Sequence, residues 1–151
     1  MLDERVEPCL CPRVPAISVY CHRRTGGRRV RRRVQPPAEY WFEERCHITE
    51  WWNTPADAAV SVARARVEPG VTTRLHRLDG VTERYVILEG TGCAEVAGTA
   101  PREVGAGDVV VVPPGASQRI RNVGACDLVF LAVCTPRFTR EAYEDIDPDP
   151  M

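Results

Sequence analysis

The sequence predicts an all-β fold of short strands, arranged as a sandwich or a barrel. Three observations support this class: β-rich runs follow one another after residue 55, Gly and Pro turns separate them, and no segment has a long helical period. The chain has 151 residues, of which 44% are hydrophobic and 27% charged, and its net charge is −1. These values predict one globular domain and argue against a collagenous or fully disordered chain.

Seven runs rich in β-branched and other apolar residues make up the predicted strands. They cover residues 60–67, 72–78, 83–88, 93–96, 109–112, 118–122 and 128–134. Turn residues occupy positions 69–70, 79–80, 89–90, 98, 105–108, 113–115 and 124. Helix is predicted only near the end of the chain, as a short segment at residues 139–145.

Residues 1–38 differ in character from the rest of the chain. They hold nine arginines, three acidic residues and five prolines, whereas residues 39–151 hold eleven arginines and eighteen acidic residues. Such a segment has too few apolar side chains to offset its ordering entropy, so we predict a disordered basic tail before a domain at residues 39–151. The tail is interpreted as an inert extension or as the product of a start codon assigned too far upstream. Nucleic acid is not expected as a partner.

The sequence also indicates in which cellular compartment the protein is expected. No apolar run reaches the length of about eighteen residues that a membrane helix needs, and the N-terminal region lacks the apolar stretch of a secretory signal. Seven scattered cysteines do not form the pattern of a small disulfide-bonded secreted domain. A cytoplasmic protein without membrane contact is expected.

An aromatic segment precedes the predicted strands. Five of the ten aromatic residues lie between positions 40 and 52, namely Tyr40, Trp41, Phe42, Trp51 and Trp52. This number exceeds what one small barrel needs outside its strands, and a β-sandwich leaves sheet edges that a neighbour can cover. The segment therefore predicts a homodimer.

Two stretches have a spacing that is typical of a known family. The first reads Gly70, five residues, His76, one residue, Leu78, four residues, Glu83, six residues, Gly90. The second reads Gly107, five residues, Pro113-Pro114-Gly115, two residues, Gln118, three residues, Asn122. They resemble the two motifs of small single-domain bacterial cupins of the type-2 barrel. The resemblance covers residues 58–135 and implies a double-stranded β-helix, or jelly-roll, barrel, commonly dimeric and often with a divalent metal inside.

The metal-ligand set of that family is incomplete here. Metal-binding cupins supply two histidines and a glutamate from the first motif and a histidine from the second, and these positions read His76, Leu78, Glu83 and Gln118. Dioxygenase chemistry, which needs two histidines and a carboxylate, is therefore less expected. Two interpretations stay open: His76, Glu83 and Gln118 hold one divalent ion (Zn, Mn, Fe or Ni), or Glu83 pairs with Arg74 and no metal binds.

Strand alternation predicts which side chains share the barrel interior. It places Thr72, Arg74 and Leu78 with His76, Tyr85 and Ile87 with Glu83, and Ile120 and Asn122 with Gln118. In the resulting pocket Arg74, Tyr85 and Gln118 are the predicted substrate-binding residues. Glu83 and His76 are the predicted catalytic residues, because either can move a proton. His47 lies outside both motifs and either supplies a further ligand or is exposed.

These features predict a cupin that binds a small oxygen-rich or anionic metabolite, with or without one divalent metal. If it is an enzyme, isomerase- or lyase-like chemistry fits better than oxygenation. The alternative is a non-catalytic sugar- or ligand-binding or sensing cupin with no metal. The sequence does not decide between an enzyme and a binding module, because one fold hosts many activities.

Overall fold

The computed structural model describes residues 37–148. The predicted disordered tail at residues 1–38 lies almost entirely outside this region. The described residues form eleven strands, which are β1 (Tyr40–Phe42), β2 (Cys46–Trp52), β3 (Ser61–Val67), β4 (His76–Leu78), β5 (Thr82–Glu89), β6 (Thr91–Val96), β7 (Arg102–Gly105), β8 (Val109–Val112), β9 (Gln118–Asn122), β10 (Leu128–Thr135) and β11 (Tyr143–Asp145). No helix in residues 37–148 is long and apolar enough to cross a membrane.

The strands form two antiparallel sheets, and the all-β prediction is confirmed. The six-stranded sheet has the order β1-β2-β3-β10-β5-β8, and the five-stranded sheet has the order β11-β4-β9-β6-β7. Chain neighbours such as β4 and β5 belong to different sheets, so the chain passes repeatedly between the two. This alternation carries each of the two sequence motifs across both sheets.

The core lies between the sheets because alternate residues of each strand point inward. Its larger cluster consists of Cys46, Ala65, Val67, Tyr85, Ile87, Ala94, Val104, Ile120, Leu128 and Phe130, which come from both sheets. A smaller cluster at one end consists of Leu78, Val81, Cys134 and Tyr143. Predicted inward residues of β5 and β9, among them Glu83, Gln118 and Asn122, are buried as alternation requires.

The C-terminal helix prediction is wrong. Residues Arg140–Ala142 form one 3₁₀ turn, and β11 follows at Tyr143–Asp145. β11 pairs with β4, with Tyr143 opposite Leu78 and Asp145 opposite His76. The buried ring of Tyr143 packs in the smaller core cluster, so tertiary packing overrides the local helical preference.

The strand predicted at residues 72–78 is regular only from His76 onward. Before it, Thr72 makes an isolated bridge to Arg121, and the backbone N–H of Arg74 donates to the carbonyl oxygen of Glu44 at 3.0 Å. The two-residue period breaks in this segment, since Thr73 is buried. The predicted inward positions of Thr72 and Arg74 are therefore wrong. Strands β1, β2 and β7 were not among the predicted strands.

Candidate functional site

A cavity of about 70 Å³ lies against the inner face of the six-stranded sheet. It has room for a few water molecules or for a ligand of a few non-hydrogen atoms. Every second residue of β2 lines it, together with residues of β3, β5 and β10. The lining residues are Tyr40, Phe42, Glu44, Cys46, Ile48, Glu50, Trp52, Asn53, Ser61, Val62, Ala63, Ala65, Thr73, Glu83, Tyr85, Phe130, Ala132, Cys134 and Phe138.

Small side chains at the centre of the sheet create this space. Ala63 of β3 and Ala132 of β10 stand opposite each other, and the next inward pair is Ala65 with Phe130. The side chains of directly opposed residues on one face of a sheet normally pack against each other and fill the space over the two strands. Two facing methyl groups leave that space open, and the cavity occupies it.

Glu83 is a buried acid in the cavity wall. Its Oε2 accepts a hydrogen bond from Nε2 of Gln118 at 2.6 Å, and its Oε1 accepts one from the Cys134 thiol at 3.7 Å. Burial raises the pKa of Glu83 from 4.5 to about 7, although both hydrogen bonds act in the opposite direction. A carboxyl group in this range can give or accept a proton near neutral pH.

His76 lies beside the cavity but does not line it. Its Nδ1 donates to the carbonyl oxygen of Arg74 at 2.9 Å, and its Nε2 lies 3.5 Å from Oε1 of Glu44. The imidazole stacks on Tyr143 with 5.2 Å between ring centroids. Burial lowers the pKa of His76, so the neutral imidazole with its proton on Nδ1 is the favoured form.

Glu44 is a site residue that sequence reasoning missed. It follows β1 in the hairpin to β2, lines the cavity, and has a side chain that is only 16% exposed. Burial raises its pKa well above the usual range, and the charges of Glu83 and Asp145 add to the effect. Alternation along residues 40–48 is the one sequence signal for its inward position, since Phe42 and Cys46 on either side also line the cavity.

Gln118 and Tyr85 complete the polar groups near Glu83. Gln118 is fully buried, and its Oε1 has no hydrogen-bond partner among the described residues.

Tyr85 lines the cavity and is only 4% exposed, and no described residue forms a hydrogen bond with its hydroxyl. Burial raises the pKa of Tyr85 well above its usual value, so it remains a phenol that can donate a hydrogen bond to a ligand.

Comparison with known proteins identifies the family. The cupin domain model matches residues 63–134. The crystal structure of a predicted oxalate decarboxylase from Thermotoga maritima is 33% identical and superposes with a TM-score of 0.56, covering 60% of this chain and 80% of that one. The chain belongs to the cupin family.

Two further relatives place this cupin among known proteins. An oxalate-binding protein from Thermotoga maritima is 41% identical over 71 residues, which are 47% of this chain. The cupin spans only 58% of the length of that relative. The Streptomyces nucleoside dehydratase Pac13 superposes with a TM-score of 0.65 at 16% identity, over 80% of this chain and 92% of that one, and so shares the fold.

The residues predicted as metal ligands in this cupin already contact other described side chains or each other. No group of three His, Cys, Asp or Glu side chains within residues 37–148 is arranged to hold a metal ion. His76 faces Glu44, whereas Glu83 and Gln118 are bonded to each other. The bond from Nε2 of Gln118 occupies Oε2 of Glu83 and leaves Oε1 of Gln118, which has no hydrogen-bond partner among the described residues, as an available ligand atom. Metal binding stays a prediction.

Two other sequence-predicted residues lie away from the cavity. The Arg74 guanidinium forms an ion pair with Asp145 and donates to the carbonyl oxygen of Asp147 at 3.4 Å. The expected pair between Arg74 and Glu83 is therefore wrong, because the irregular backbone at residues 73–75 turns Arg74 toward β11. His47 pairs with Glu68 at 3.2 Å and contacts the edge of Trp41, so it supplies no group to the cavity.

Proposed function

We propose that this cupin binds a small oxygen-rich metabolite in its cavity and that Glu83 transfers a proton to or from the bound molecule. The position of Glu83 carries the proposal: it is buried in the cavity wall, and each of its oxygens accepts a hydrogen bond. The pKa of about 7 supports the same role, because a general acid or base works best near the ambient pH.

The ligand chemistry follows from the groups that face the cavity. Tyr85 offers a hydroxyl donor, and Glu44 and Glu83 accept hydrogen bonds when ionised or donate them when neutral. Hydroxyl and carbonyl groups of a ligand match this set. The names of two relatives, an oxalate-binding protein and a predicted oxalate decarboxylase, support an oxygen-rich ligand. An anion such as oxalate would require both carboxyl groups to be neutral or a metal to accompany it.

Isomerase- or lyase-like chemistry fits the arrangement. Ionised Glu83 accepts a proton from the carbon next to a ligand carbonyl, and the electron pair of that C–H bond forms an enolate. The Tyr85 hydroxyl donates a hydrogen bond to the enolate oxygen. If the α-carbon carries a hydroxyl group, transfer of the hydroxyl proton to the enolate oxygen and return of the abstracted proton to the former carbonyl carbon complete an isomerisation. If the β-carbon carries a leaving group, the enolate reforms the carbonyl, the new double bond forms between the α- and β-carbons, and the leaving group departs with its bonding pair, which completes an elimination.

Proton exchange into a panel of simple carbonyl compounds tests the proposal. Small hydroxyketones and 2-keto acids are incubated with the protein in deuterium oxide, and loss of their α-proton signals is followed by NMR. The wild type should accelerate exchange, and Glu83→Gln should abolish the acceleration. Glu103→Gln, an exposed change on β7, is the matched control and should behave as the wild type.

The outcomes separate the candidate functions. Binding of a panel compound without exchange would favour the non-catalytic ligand-binding alternative. Absence of both binding and exchange across the panel would overturn the proposal. Metal content of the purified protein, measured by mass spectrometry, tests the predicted divalent ion independently. The predicted cytoplasmic location and homodimer stay predictions.

A further inference from the structure

The cavity lining has one sign of charge. Glu44, Glu50 and Glu83 line it, and among the described residues no arginine or histidine does. The chain contains no lysine at all. Among the described residues an anionic ligand would therefore meet carboxyl groups as its only charged neighbours, whereas a cationic ligand would meet Glu44 and Glu83 as potential counter-charges.

Aromatic rings also line the cavity. Six aromatic side chains line the cavity, namely Tyr40, Phe42, Trp52, Tyr85, Phe130 and Phe138. The face of an aromatic ring carries partial negative charge and attracts a cation within about 6 Å of its centre. Carboxyl groups combined with ring faces form the usual environment for a substituted ammonium group.

The Tyr85 hydroxyl indicates independently that a ligand belongs here. Tyr85 is buried in the cavity wall, and its hydroxyl has no hydrogen-bond partner among the described residues. The hydroxyl oxygen is not among the fully enclosed unpaired atoms of the described residues, so it is open to the cavity. A hydroxyl in this position bonds to the ligand or water that occupies the cavity. The ligand group next to Tyr85 is therefore a hydrogen-bonding one.

We propose that the ligand of this cavity carries a protonated amine beside its hydroxyl or carbonyl groups, and that Glu44 and the aromatic rings bind the ammonium. This inference rests on the proposed ligand site but not on proton transfer by Glu83. It assigns Glu44 a role in recognition that neither sequence motif indicates.

The placement of Glu44 supports the choice of this carboxyl group. It lines the cavity with Phe42 and Cys46, and its Oε1 lies 3.5 Å from Nε2 of the neutral His76. A largely buried carboxylate without a positive partner is costly, and an ammonium group at this position removes the cost. Glu83 differs because Gln118 and Cys134 already bond to its oxygens.

A matched pair of ligands tests the inference. Glycerol and 2-amino-1,3-propanediol differ only in that a protonated amine replaces one hydroxyl group. Titration of the full-length protein, followed by calorimetry or ligand NMR, should show the amine binding about tenfold more tightly than glycerol. Oxalate is titrated in parallel as the anionic probe and should bind more weakly than the amine.

Variants show whether the preference arises in the cavity. In Glu44→Gln the amine and glycerol should bind with about equal affinity. Glu43→Gln, which changes an exposed neighbour in the same hairpin, should leave the amine preference unchanged. Ala132→Leu fills the cavity without altering any charge and should abolish binding of the amine. A thermal melt of each variant confirms folding, and Ala132→Leu keeps the test valid if Glu44→Gln does not fold.

Three results would overturn the inference. Equal affinities for the two polyols, or tighter binding of oxalate, would show that the cavity does not select a cation, while the proposed function would stand. Binding of the amine to Ala132→Leu would place it outside the cavity. If the protein binds none of these probes but exchanges protons of a neutral hydroxyketone, the result contradicts the proposed amine on the ligand and supports the proposed function.

Discussion

The side chain of Gln118 donates a hydrogen bond from Nε2 to Oε2 of Glu83 at 2.6 Å, and this bond joins the two sheets. Gln118 begins β9 in the five-stranded sheet, and Glu83 lies in β5 of the six-stranded sheet. Both side chains are buried. The protonation state of Glu83 is therefore coupled to the packing of the barrel as well as to the cavity.

Glu83→Gln should remove roughly 3 kcal/mol of the fall in stability between about pH 4.5 and 7, while Glu44, whose pKa is also raised, keeps its own share of that fall. The pKa of Glu83 is raised from 4.5 to about 7 in the folded protein, so in this window the unfolded chain has lost a proton that the folded chain keeps. The contribution of Glu83 to stability is fully present below the unfolded pKa and is lost as the pH rises through the folded pKa, by roughly 3 kcal/mol. Urea unfolding at pH 5 and pH 8 measures the difference.

The control for this measurement is Glu103→Gln, which should keep the wild-type pH dependence. A Glu83→Gln protein that still loses the same stability between the two pH values would show that other groups control it. The pKa of Glu83 in the folded protein would then lie close to its ordinary value.

Gln118→Met should raise the pKa of Glu83 further. The hydrogen bond from Gln118 favours the ionised carboxylate, and methionine has a similar volume but no donor. The cost in stability should be about 1 kcal/mol, at the low end for a buried hydrogen bond, because the substitution also removes the unpaired Oε1 of Gln118. Carboxyl carbon NMR over a pH titration measures the pKa. In the double variant with Glu83→Gln the two stability effects should not add.

The motif residues were predictable from the resemblance to cupins, and strand alternation then placed their neighbours on the same face. His76, Glu83 and Gln118 are all buried as the two-residue period requires, and the Gly and Pro turns mark most strand ends. Arg74 was misplaced because it lies in an irregular segment where that period does not hold. Glu44 was missed because its position depends on a hairpin that packs onto residues 61–67, and local sequence does not specify contacts at that separation.

Gly90→Ala should destabilise the fold strongly. Gly90 has a φ of +83°, and a Cβ built there would lie 2.5 Å from the carbonyl oxygen of Asp127. The clash is with backbone at the turn between β5 and β6, which cannot move without displacing β10, so we expect a loss of about 2–4 kcal/mol. Gly98→Ala is the matched control, since it has a φ of +80° with open space around it and should cost about 1 kcal/mol. Equal losses in urea unfolding would contradict the steric argument.

The aromatic edge of the six-stranded sheet should form the predicted homodimer interface. β1 is the edge strand there, and Trp41 and Trp51 are 57% and 42% exposed. Sedimentation of the wild type should give about twice the chain mass of 16.8 kDa, because paired edges bury this apolar surface. Trp41→Ser with Trp51→Ser should give a monomer.

The control is Val109→Ser with Val111→Ser on β8, the opposite edge, where the side chains are 55% and 56% exposed. Dissociation of the valine variant alone would move the interface to β8, and a monomeric wild type would exclude the dimer.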